Sequence, residues 1–328
     1  MAPSLTAPAP RRVFSTLHGR DLLSIRDLTT EELSDLLALA ADVKQNPRRY
    51  ANALDGRVVA MLFEKPSLRT RVSFDVAAHQ LSGHAIYLAP QEVGLGRRES
   101  IPDVAHTLEH MVHAVVARVF SQASLEQLAV AASIPVVNAL SDFSHPCQAL
   151  ADYLTILEKK GTLRGLRVAY VGDGNNVANS LVFAGALLGV EVVVAAPPAH
   201  ELEPDVLAWA RAHAAVASAQ CRVTHDPVDA VRGADVIYTD TWISMGQEAE
   251  ADARRREFAG FEVTERLFAA AKTDAIFMHC LPAHRGEEVE TRVIEGSRSV
   301  VFTQAENRLH TEKALLAAIL GNEPSEQS

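Results

Sequence analysis

Short apolar runs rich in β-branched residues alternate with longer segments of helical period from about residue 57 to residue 302. Repetition of strand, helix and strand predicts right-handed crossovers and parallel sheets that helices cover on both faces. The predicted strands are 57–63, 85–88, 114–118 and 135–138 in the first half, and 167–171, 191–195, 222–224, 236–238, 275–278 and 299–302 in the second. The pattern therefore indicates an α/β protein with two doubly wound domains, each a mainly parallel sheet flanked by helices.

A polar, glycine-containing break separates the two halves. The segment 159–165, KKGTLRG, follows a helix that begins near His145 and precedes a new predicted strand. We place the domain boundary near residue 155, and the last helix has apolar residues spaced for one face that would pack on the first domain. The predicted division is 1–14 as a disordered tail, 15–155 as the first domain, 156–304 as the second, 305–321 as the helix that completes the first, and 322–328 as a second tail.

Composition places the chain among soluble, globular proteins. With 328 residues it has room for about two domains of roughly 150 residues each. Acidic residues outnumber basic residues 41 to 31, and the formal net charge of -10 argues against nucleic acid or an anionic membrane as the partner. A compact basic site for a small anion is still compatible with that charge.

The cysteines and the most apolar stretch indicate the compartment. Cys147, Cys221 and Cys280 are widely spaced, so a disulfide framework is not expected and a reducing cytoplasm fits better. The apolar stretch 181–199 is interrupted by Glu191 and ends in two prolines, which favours a buried helix followed by a buried strand over a membrane span. The first residues lack the apolar core of a signal peptide.

Polar residues follow the predicted strands of the first half, where open parallel sheets bind ligands. Ser67 can cap a helix whose free N–H groups, with Arg69 and the Thr70 hydroxyl, would bind a phosphate; the alternative is a capped helix with solvent-exposed arginines. Arg118 ends an apolar strand and either meets a ligand or reaches the surface. His145 stands just before a proline at a helix start, where it is either structural or catalytic.

The second half repeats this arrangement with different chemistry. The segment 172–176, GDGNN, follows a strand but has Val177 in place of the third glycine of a dinucleotide loop, so NAD binding is disfavoured. Asp240 follows another strand and either caps a helix or binds an ammonium group. Cys280 follows a further strand and is either a buried thiol or a reactive one, and Arg308 follows the last predicted strand.

Six ordered motifs make the chain resemble the ornithine carbamoyltransferases from about residue 15 to residue 320. The motifs are FEKPSLRTR (63–71), HPCQ (145–148), GDGNN (172–176), DTWISMGQE (240–248), HCLPAHRGEE (279–288) and AENR (305–308). The resemblance implies two α/β domains with the active site in the interdomain cleft, a homotrimer or a multiple of trimers, and neither a cofactor nor a metal. It also implies transfer of the carbamoyl group of carbamoyl phosphate to the δ-amine of L-ornithine, which gives L-citrulline and phosphate.

The resemblance also implies a role for each matching residue. The residues implied to bind carbamoyl phosphate are Ser67, Leu68, Arg69, Thr70, Arg118, His145, Gln148, Cys280, Leu281 and Arg308. Among them, those implied to be catalytic are Arg69, Arg118, His145, Cys280 and Arg308. The residues implied to bind ornithine are Asn176, Asp240, Ser244 and Met245.

Two positions depart from the family pattern. Leu68 stands where the phosphate motif commonly has Thr, and because the backbone N–H supplies that contact, we expect little loss. Gly94 stands where the family usually brings a Gln from the adjacent subunit, and Gln91 and Arg97 are the candidate substitutes.

Other functions are retained as hypotheses at this point. The nearest is a carbamoyltransferase for another amine, such as putrescine or an N-acylornithine. A nicotinamide-dependent dehydrogenase and a non-catalytic carbamoyl-phosphate-binding protein are more distant hypotheses. Arginine synthesis and arginine breakdown are both compatible with the sequence.

Overall fold

The computed structural model describes residues 11–215, 219–243 and 248–321. The described chain divides into two compact units, one formed by residues 11–154 with 306–321 and the other by residues within 155–305. Each unit is built on one parallel sheet. The predicted α/β class, with parallel sheets flanked by helices, is confirmed.

Apolar, β-branched runs form the strands of both sheets. The first sheet has the strand order β2-β1-β3-β4, and the second has the order β7-β6-β5-β8-β9. The strands are β1 Val58–Phe63, β2 His84–Leu88, β3 Ala114–Arg118, β4 Val136–Leu140, β5 Arg167–Val171, β6 Glu191–Ala195, β7 Cys221–Thr224, β8 Val236–Thr239 and β9 Ile276–His279. Five strands, β1, β3, β5, β6 and β8, have neighbours on both sides, and their residues are almost all buried.

Helices connect the strands in both units. The α-helices are α1 Arg12–Leu17, α2 Thr30–Gln45, α3 Leu68–Gln80, α4 Pro90–Val93, α5 Ile101–Glu109, α6 Gln122–Ala131, α7 Pro146–Lys160, α8 Asn176–Leu188, α9 Pro204–His213, α10 Pro227–Val231, α11 Ala251–Glu257, α12 Glu265–Phe268, α13 Thr291–Ile294 and α14 Val301–Leu320. Because every strand pairing in the two sheets is parallel, the carboxyl ends of neighbouring strands lie at the same edge.

Two expectations about elements were wrong. Residues 299–302 do not form a strand: Ser299 makes a single isolated bridge to Phe277, and α14 already begins at Val301. The N-terminal tail predicted over 1–14 overlaps α1, whose residues Val13 and Phe14 are buried. The apolar residues on one face of this short helix are buried. The prediction of a disordered tail rested on the proline-rich residues before the helix and did not take this face into account.

The long apolar stretch near the middle of the chain is part of the second core. It forms α8, in which nearly every residue is buried, followed by β6. Across the described parts of the chain, no helix combines the length and the apolarity that crossing a membrane requires.

The first strand of each unit runs into a capped helix. In the first unit β1 leads to Ser67 and α3, and in the second unit β5 leads to Asn175 and α8. Both helices begin beyond the carboxyl end of a central strand, the position at which parallel sheets bind ligands. These two junctions position the polar residues of the candidate site.

Candidate active site

Ser67 caps α3 and orders its first turn. Its Oγ accepts a hydrogen bond from Thr70 N at 3.3 Å and lies 3.1 Å from Thr70 Oγ1. Thr70 is buried, whereas Leu68 is 76% exposed, so the side chain of Leu68 takes no part in this turn. The N-terminus of a helix of this length carries partial positive charge and outward N–H groups, which suits it to bind an anion.

His145 lies immediately before α7 in a strongly cationic environment. Burial lowers the pKa of this imidazole well below its ordinary value, and the positive charges of Arg308, Arg118 and Arg69 lower it further. His145 is therefore neutral at pH 7 and offers one N–H donor without adding a charge. The structure brings together these four residues, which stand far apart in the sequence.

Arg308 on α14 links the capped turn to α7. Its Nη2 donates to Thr70 Oγ1 at 3.3 Å, and its Nη1 donates to Gln148 Oε1 at 3.0 Å. Arg308 and Gln148 are both buried, and Arg118 is buried at the end of β3 beside Phe63 of β1. Guanidinium groups in this position provide planar donors that match phosphate oxygens.

Lys65 adds a further positive charge near Arg118, although it was not among the predicted site residues. Burial and the charge of Arg118 lower the pKa of Lys65, while Asp142 and Glu64 oppose that shift. Its Nζ lies 4.5 Å from the centroid of the Phe120 ring. The sequence alone does not show that this lysine lies near both an aromatic ring and an arginine.

The loop after β2 explains why a glycine occupies position 94. Gly94 ends α4 with φ 56° and ψ 47°, in the left-handed region. A Cβ at this position would lie 2.9 Å from Arg98 Cβ, so a side chain here would force the turn to change. The candidate substitutes Gln91 and Arg97 are exposed on the same loop.

The second unit places a carboxylate among donors. Asp240 follows β8, and its Oδ1 accepts from Thr241 N at 2.8 Å and from the Cys280 thiol at 2.9 Å. Its Oδ2 accepts from Asn175 Nδ2 at 2.9 Å. Asp240 is 6% exposed. The carboxylate is thus held in one orientation at the carboxyl end of the sheet, where it can attract an ammonium group.

Asn175, which the sequence reasoning did not select, has two functions in this site. Its Oδ1 caps α8 by accepting from Val177 N at 3.0 Å and Ala178 N at 3.1 Å, and its amide nitrogen holds Asp240. Asn176, which was selected, is the half-buried first residue of α8. The expected ornithine-binding residues Ser244 and Met245 lie outside the described residues.

A buried pair fixes the loop that carries Leu281. His279 and Glu288 are both fully buried, and His279 Nδ1 accepts from Leu281 N at 2.8 Å. His279 Nε2 therefore carries the proton and donates to Glu288 Oε1 at 3.2 Å. Leu281 has φ 57° and precedes a cis peptide bond to Pro282. The backbone directly after Cys280 is consequently held by a hydrogen bond to His279.

Two groups in the second unit have the spacing of metal ligands. One consists of Asp240, His279 and Cys280, and the other of His284, Glu287 and Glu288. Both nitrogens of His279 are engaged by Leu281 N and Glu288, and the thiol donates to Asp240. Glu287 in the second group forms an ion pair with Arg255 at 3.0 Å. These side chains therefore have partners within the protein.

Comparison with protein families identifies both units. The carbamoyl-P binding domain of aspartate/ornithine carbamoyltransferase matches residues 20–158, and the Asp/Orn binding domain of the same family matches residues 164–319. Together these matches cover both sheets and all the candidate residues.

Known ornithine carbamoyltransferases are similar to this chain over nearly its whole length. An ornithine carbamoyltransferase of Thermococcus kodakarensis is 54% identical over 311 residues, which cover 93% of this chain and 98% of the relative. An ornithine carbamoyltransferase of Pyrococcus furiosus, described as anabolic, is 54% identical over 308 residues, with 93% and 98% covered. A solved structure of ornithine carbamoyltransferase from Pyrococcus furiosus superimposes with a TM-score of 0.90 over 94% of this chain and 99% of that chain. One from Thermus thermophilus is 47% identical, with a TM-score of 0.83 and coverage of 92% and 98%.

Proposed function

The chain belongs to the aspartate/ornithine carbamoyltransferase family, and from that premise we propose how its residues transfer the carbamoyl group of carbamoyl phosphate to the δ-amine of L-ornithine. The reaction gives L-citrulline and phosphate. The relatives named above act on ornithine, which supports ornithine as the acceptor over putrescine or an N-acylornithine. An anabolic relative supports a place in arginine biosynthesis.

The cationic cluster of the first unit is the observation that carries this proposal. The phosphate of carbamoyl phosphate binds at the N-terminus of α3, where Ser67, the Leu68 N–H, Arg69 and Thr70 surround it. A helix N-terminus with arginines beside it is a phosphate site of known physical origin. An acidic chain therefore keeps one compact positive site for a small dianion.

The carbamoyl end lies toward α7. Arg118, His145 and Gln148 donate to the carbamoyl oxygen, and Arg308 holds Gln148 in place through Gln148 Oε1. The neutral imidazole of His145 contributes a hydrogen bond without repelling the three arginines that surround it. Pre-aimed donors of this kind stabilise the negative charge that develops on the carbonyl oxygen.

The second unit binds ornithine through Asp240. Its carboxylate pairs with the α-ammonium group, while Asn176, Ser244 and Met245 contact the remaining amino-acid end. Cys280 and Leu281 lie near the δ-amine, with the thiol oriented toward Asp240. We assign the thiol a positioning role, because it donates its hydrogen bond to the Asp240 carboxylate.

The chemistry is one acyl transfer. The neutral δ-amine attacks the carbonyl carbon, a tetrahedral intermediate with a charged oxygen forms, and the C–O bond to phosphate breaks as the amine proton passes to the departing phosphate, which leaves as hydrogen phosphate. Arg69, Arg118 and His145 stabilise the oxyanion and the leaving phosphate. In this proposal the first unit binds the carbamoyl donor and the second unit binds the acceptor.

The assembly and the compartment are part of the same proposal. We expect a homotrimer or a multiple of trimers in the cytoplasm, without a cofactor or a metal. In such an assembly the loop after β2 would present Gln91 or Arg97 where relatives of the family use a Gln.

A product assay tests the function. The full-length chain is incubated with carbamoyl phosphate and L-ornithine, putrescine or N-acetylornithine, and the carbamoylated products are quantified. We expect citrulline, with ornithine preferred by at least about 100-fold in kcat/KM. N-acetylornithine would leave the buried Asp240 carboxylate without its ammonium partner, and putrescine, which keeps that ammonium group, would leave the groups that bind the α-carboxylate without theirs. Faster carbamoylation of either alternative amine would refute the assignment of the acceptor.

A further inference from the structure

A buried glutamate contacts the arginine that the proposed function assigns to carbamoyl phosphate. Glu312 lies one turn after Arg308 on α14, and the two residues are 1% and 2% exposed. Glu312 Oε1 accepts from Arg308 Nε at 2.9 Å and from Arg308 Nη2 at 2.6 Å. Neither the six motifs nor the resemblance drew attention to Glu312.

Besides its contact with Glu312, the Arg308 guanidinium donates hydrogen bonds to two residues of the candidate site. Nη1 donates to Gln148 Oε1 at 3.0 Å, and Nη2 also reaches Thr70 Oγ1 at 3.3 Å. The guanidinium is planar and its donors have fixed directions, so anchoring Nε on one side determines where Nη1 and Nη2 point. One carboxylate oxygen on α14 thereby controls donors directed at α7 and α3.

Arg308 in turn fixes the orientation of the Gln148 side-chain amide. Arginine has no acceptor, so the Gln148 oxygen must face Arg308, and its amide nitrogen donates to Asp152 Oδ1 at 2.8 Å. Gln148 is thus held between a cation and an anion, with both ends specified. Rotation of Arg308 would remove the partner that fixes the Gln148 oxygen.

We propose that Glu312 is a positioning residue for carbamoyl phosphate: it orients the Arg308 guanidinium, and through Arg308 it orients Gln148. The inference rests on the proposed function. Glu312 touches neither substrate in this scheme. Its contribution is to keep a long, flexible cation in a single rotamer before the ligand arrives, which reduces the entropy lost on binding.

The surroundings of Glu312 make its charge sensitive to pH. Burial raises the pKa of Glu312 to about 7, although Arg308 acts in the opposite direction. The groups that face it are Arg308 on its own helix, the Cys147 thiol on α7 and the Ser73 hydroxyl on α3. The ionised carboxylate binds Arg308 more strongly than the neutral acid does, so the anchor weakens as pH falls through about 7.

Two substitutions of similar size separate the acceptor from the charge. Glu312→Gln keeps an acceptor oxygen but removes the charge, whereas Glu312→Leu removes both. The full-length variants are assayed for citrulline formation from pH 5.5 to 9, and kcat and the KM for carbamoyl phosphate are determined separately. We expect Glu312→Leu to raise this KM at least about tenfold at pH 8 with a smaller change in kcat, and Glu312→Gln to raise it about threefold.

The pH profile distinguishes positioning from a general loss of structure. The wild-type KM for carbamoyl phosphate should increase as pH falls through about 7, and Glu312→Gln should lack that step. Glu306→Gln is the matched control: it is the same substitution on the same helix at a side chain that is 55% exposed, and its KM should equal that of the wild type. Thermal unfolding of each variant reports whether the fold survives.

Two outcomes would overturn the inference. One is a KM for carbamoyl phosphate within about twofold of wild type in a folded Glu312→Leu variant, a difference too small for a lost charge-assisted hydrogen bond. The other is an identical pH step in the wild type and Glu312→Gln. An inactive wild type would refute the proposed function instead, so the two failures are distinguishable. Should Glu312→Leu not fold, the comparison of the wild type with Glu312→Gln across pH still decides the question.

Discussion

In each unit the first strand leads into a helix that begins with a capping side chain. The two junctions share this architecture, but the side chains around them have opposite charges. At the first, the Ser67 hydroxyl caps α3, and Arg308 approaches Thr70 in the capped turn. At the second, Asn175 caps α8, and the same amide also holds the carboxylate of Asp240. A helix N-terminus at the end of a parallel strand favours anions in both cases.

The two junctions differ in the charge of the side chains around them. In the first unit the positive terminus is reinforced by Arg69, Arg118 and Arg308, which lower the pKa of His145 together with burial. In the second unit the protein supplies its own anion, Asp240, which under the proposed function changes the ligand preference to a cation. The residue at the neighbouring strand end has the opposite charge in the two units: an arginine ends β3, and an aspartate follows β8.

Removing a cation from the first unit should have the largest effect. Arg69→Ala should lower kcat/KM for carbamoyl phosphate about 1000-fold, because a charged donor to the phosphate and to the developing charge is lost. Citrulline formation at varied carbamoyl phosphate concentration measures the effect. An unchanged rate would contradict the assignment of the first junction as the phosphate site.

The matched control for this prediction is Arg48→Ala. Arg48 is exposed in the same unit, on the short 3-10 helix Pro47–Tyr50, which is a separate element from the capped turn. Its removal should leave kcat/KM within about twofold, since exposed side chains without such contacts contribute little. If both variants lost activity equally, general positive charge rather than a specific site would be responsible.

Neutralising the anion of the second unit should have an intermediate effect. Asp240→Asn should weaken ornithine binding about 100-fold, because the α-ammonium group loses its charge partner and the new amide faces donors from Thr241 and Asn175. Inhibition and binding by phosphate alone should change much less. Calorimetric titration of ornithine in the presence of phosphate measures the loss.

Asp229→Asn is the control for the second unit. Asp229 pairs with Arg222 at the surface of the same unit, with 41% of its side chain exposed. Surface ion pairs contribute little, so ornithine binding should not change. Equal ornithine affinity in Asp240→Asn and Asp229→Asn would show that Asp240 is not the ammonium ligand.

Periodicity was sufficient to predict the framework of both units. Strands β3, β5 and β6 begin and end at the predicted residues, because their apolar β-branched runs are bounded by polar or turn-forming residues. The predicted strand 299–302 failed, since its apolar residues Val300 and Val301 are compatible with a helix start as well as with a strand. Short apolar runs cannot distinguish these alternatives without their neighbours in space.

The residues that support the site were harder to predict than those that form it. Ser67, Thr70 and Arg308 belong to motifs, but their contact joins positions 238 residues apart. Glu312 resembles one half of an ordinary surface pair four residues along a helix, and only its burial distinguishes it. Asn175 was overlooked because Asn176, its neighbour, carried the expected role. The overlooked signal was a capping residue directly before an apolar helix.

The smallest expected effect compares the two caps directly. Ser67→Ala should destabilise the protein by about 1 kcal/mol, the usual contribution of an N-cap side chain. Asn175→Ala should cost about 2–3 kcal/mol, because α8 loses its cap and the buried carboxylate of Asp240 also loses a donor. The thermal unfolding midpoint should therefore fall further in Asn175→Ala, whereas the KM for carbamoyl phosphate should change only in Ser67→Ala. Equal falls in the midpoint would mean that Asn175 stabilises the protein only as a helix cap. The hydrogen bond from Asn175 to Asp240 would then contribute nothing to stability, and the two junctions would differ only in the charge of Asp240.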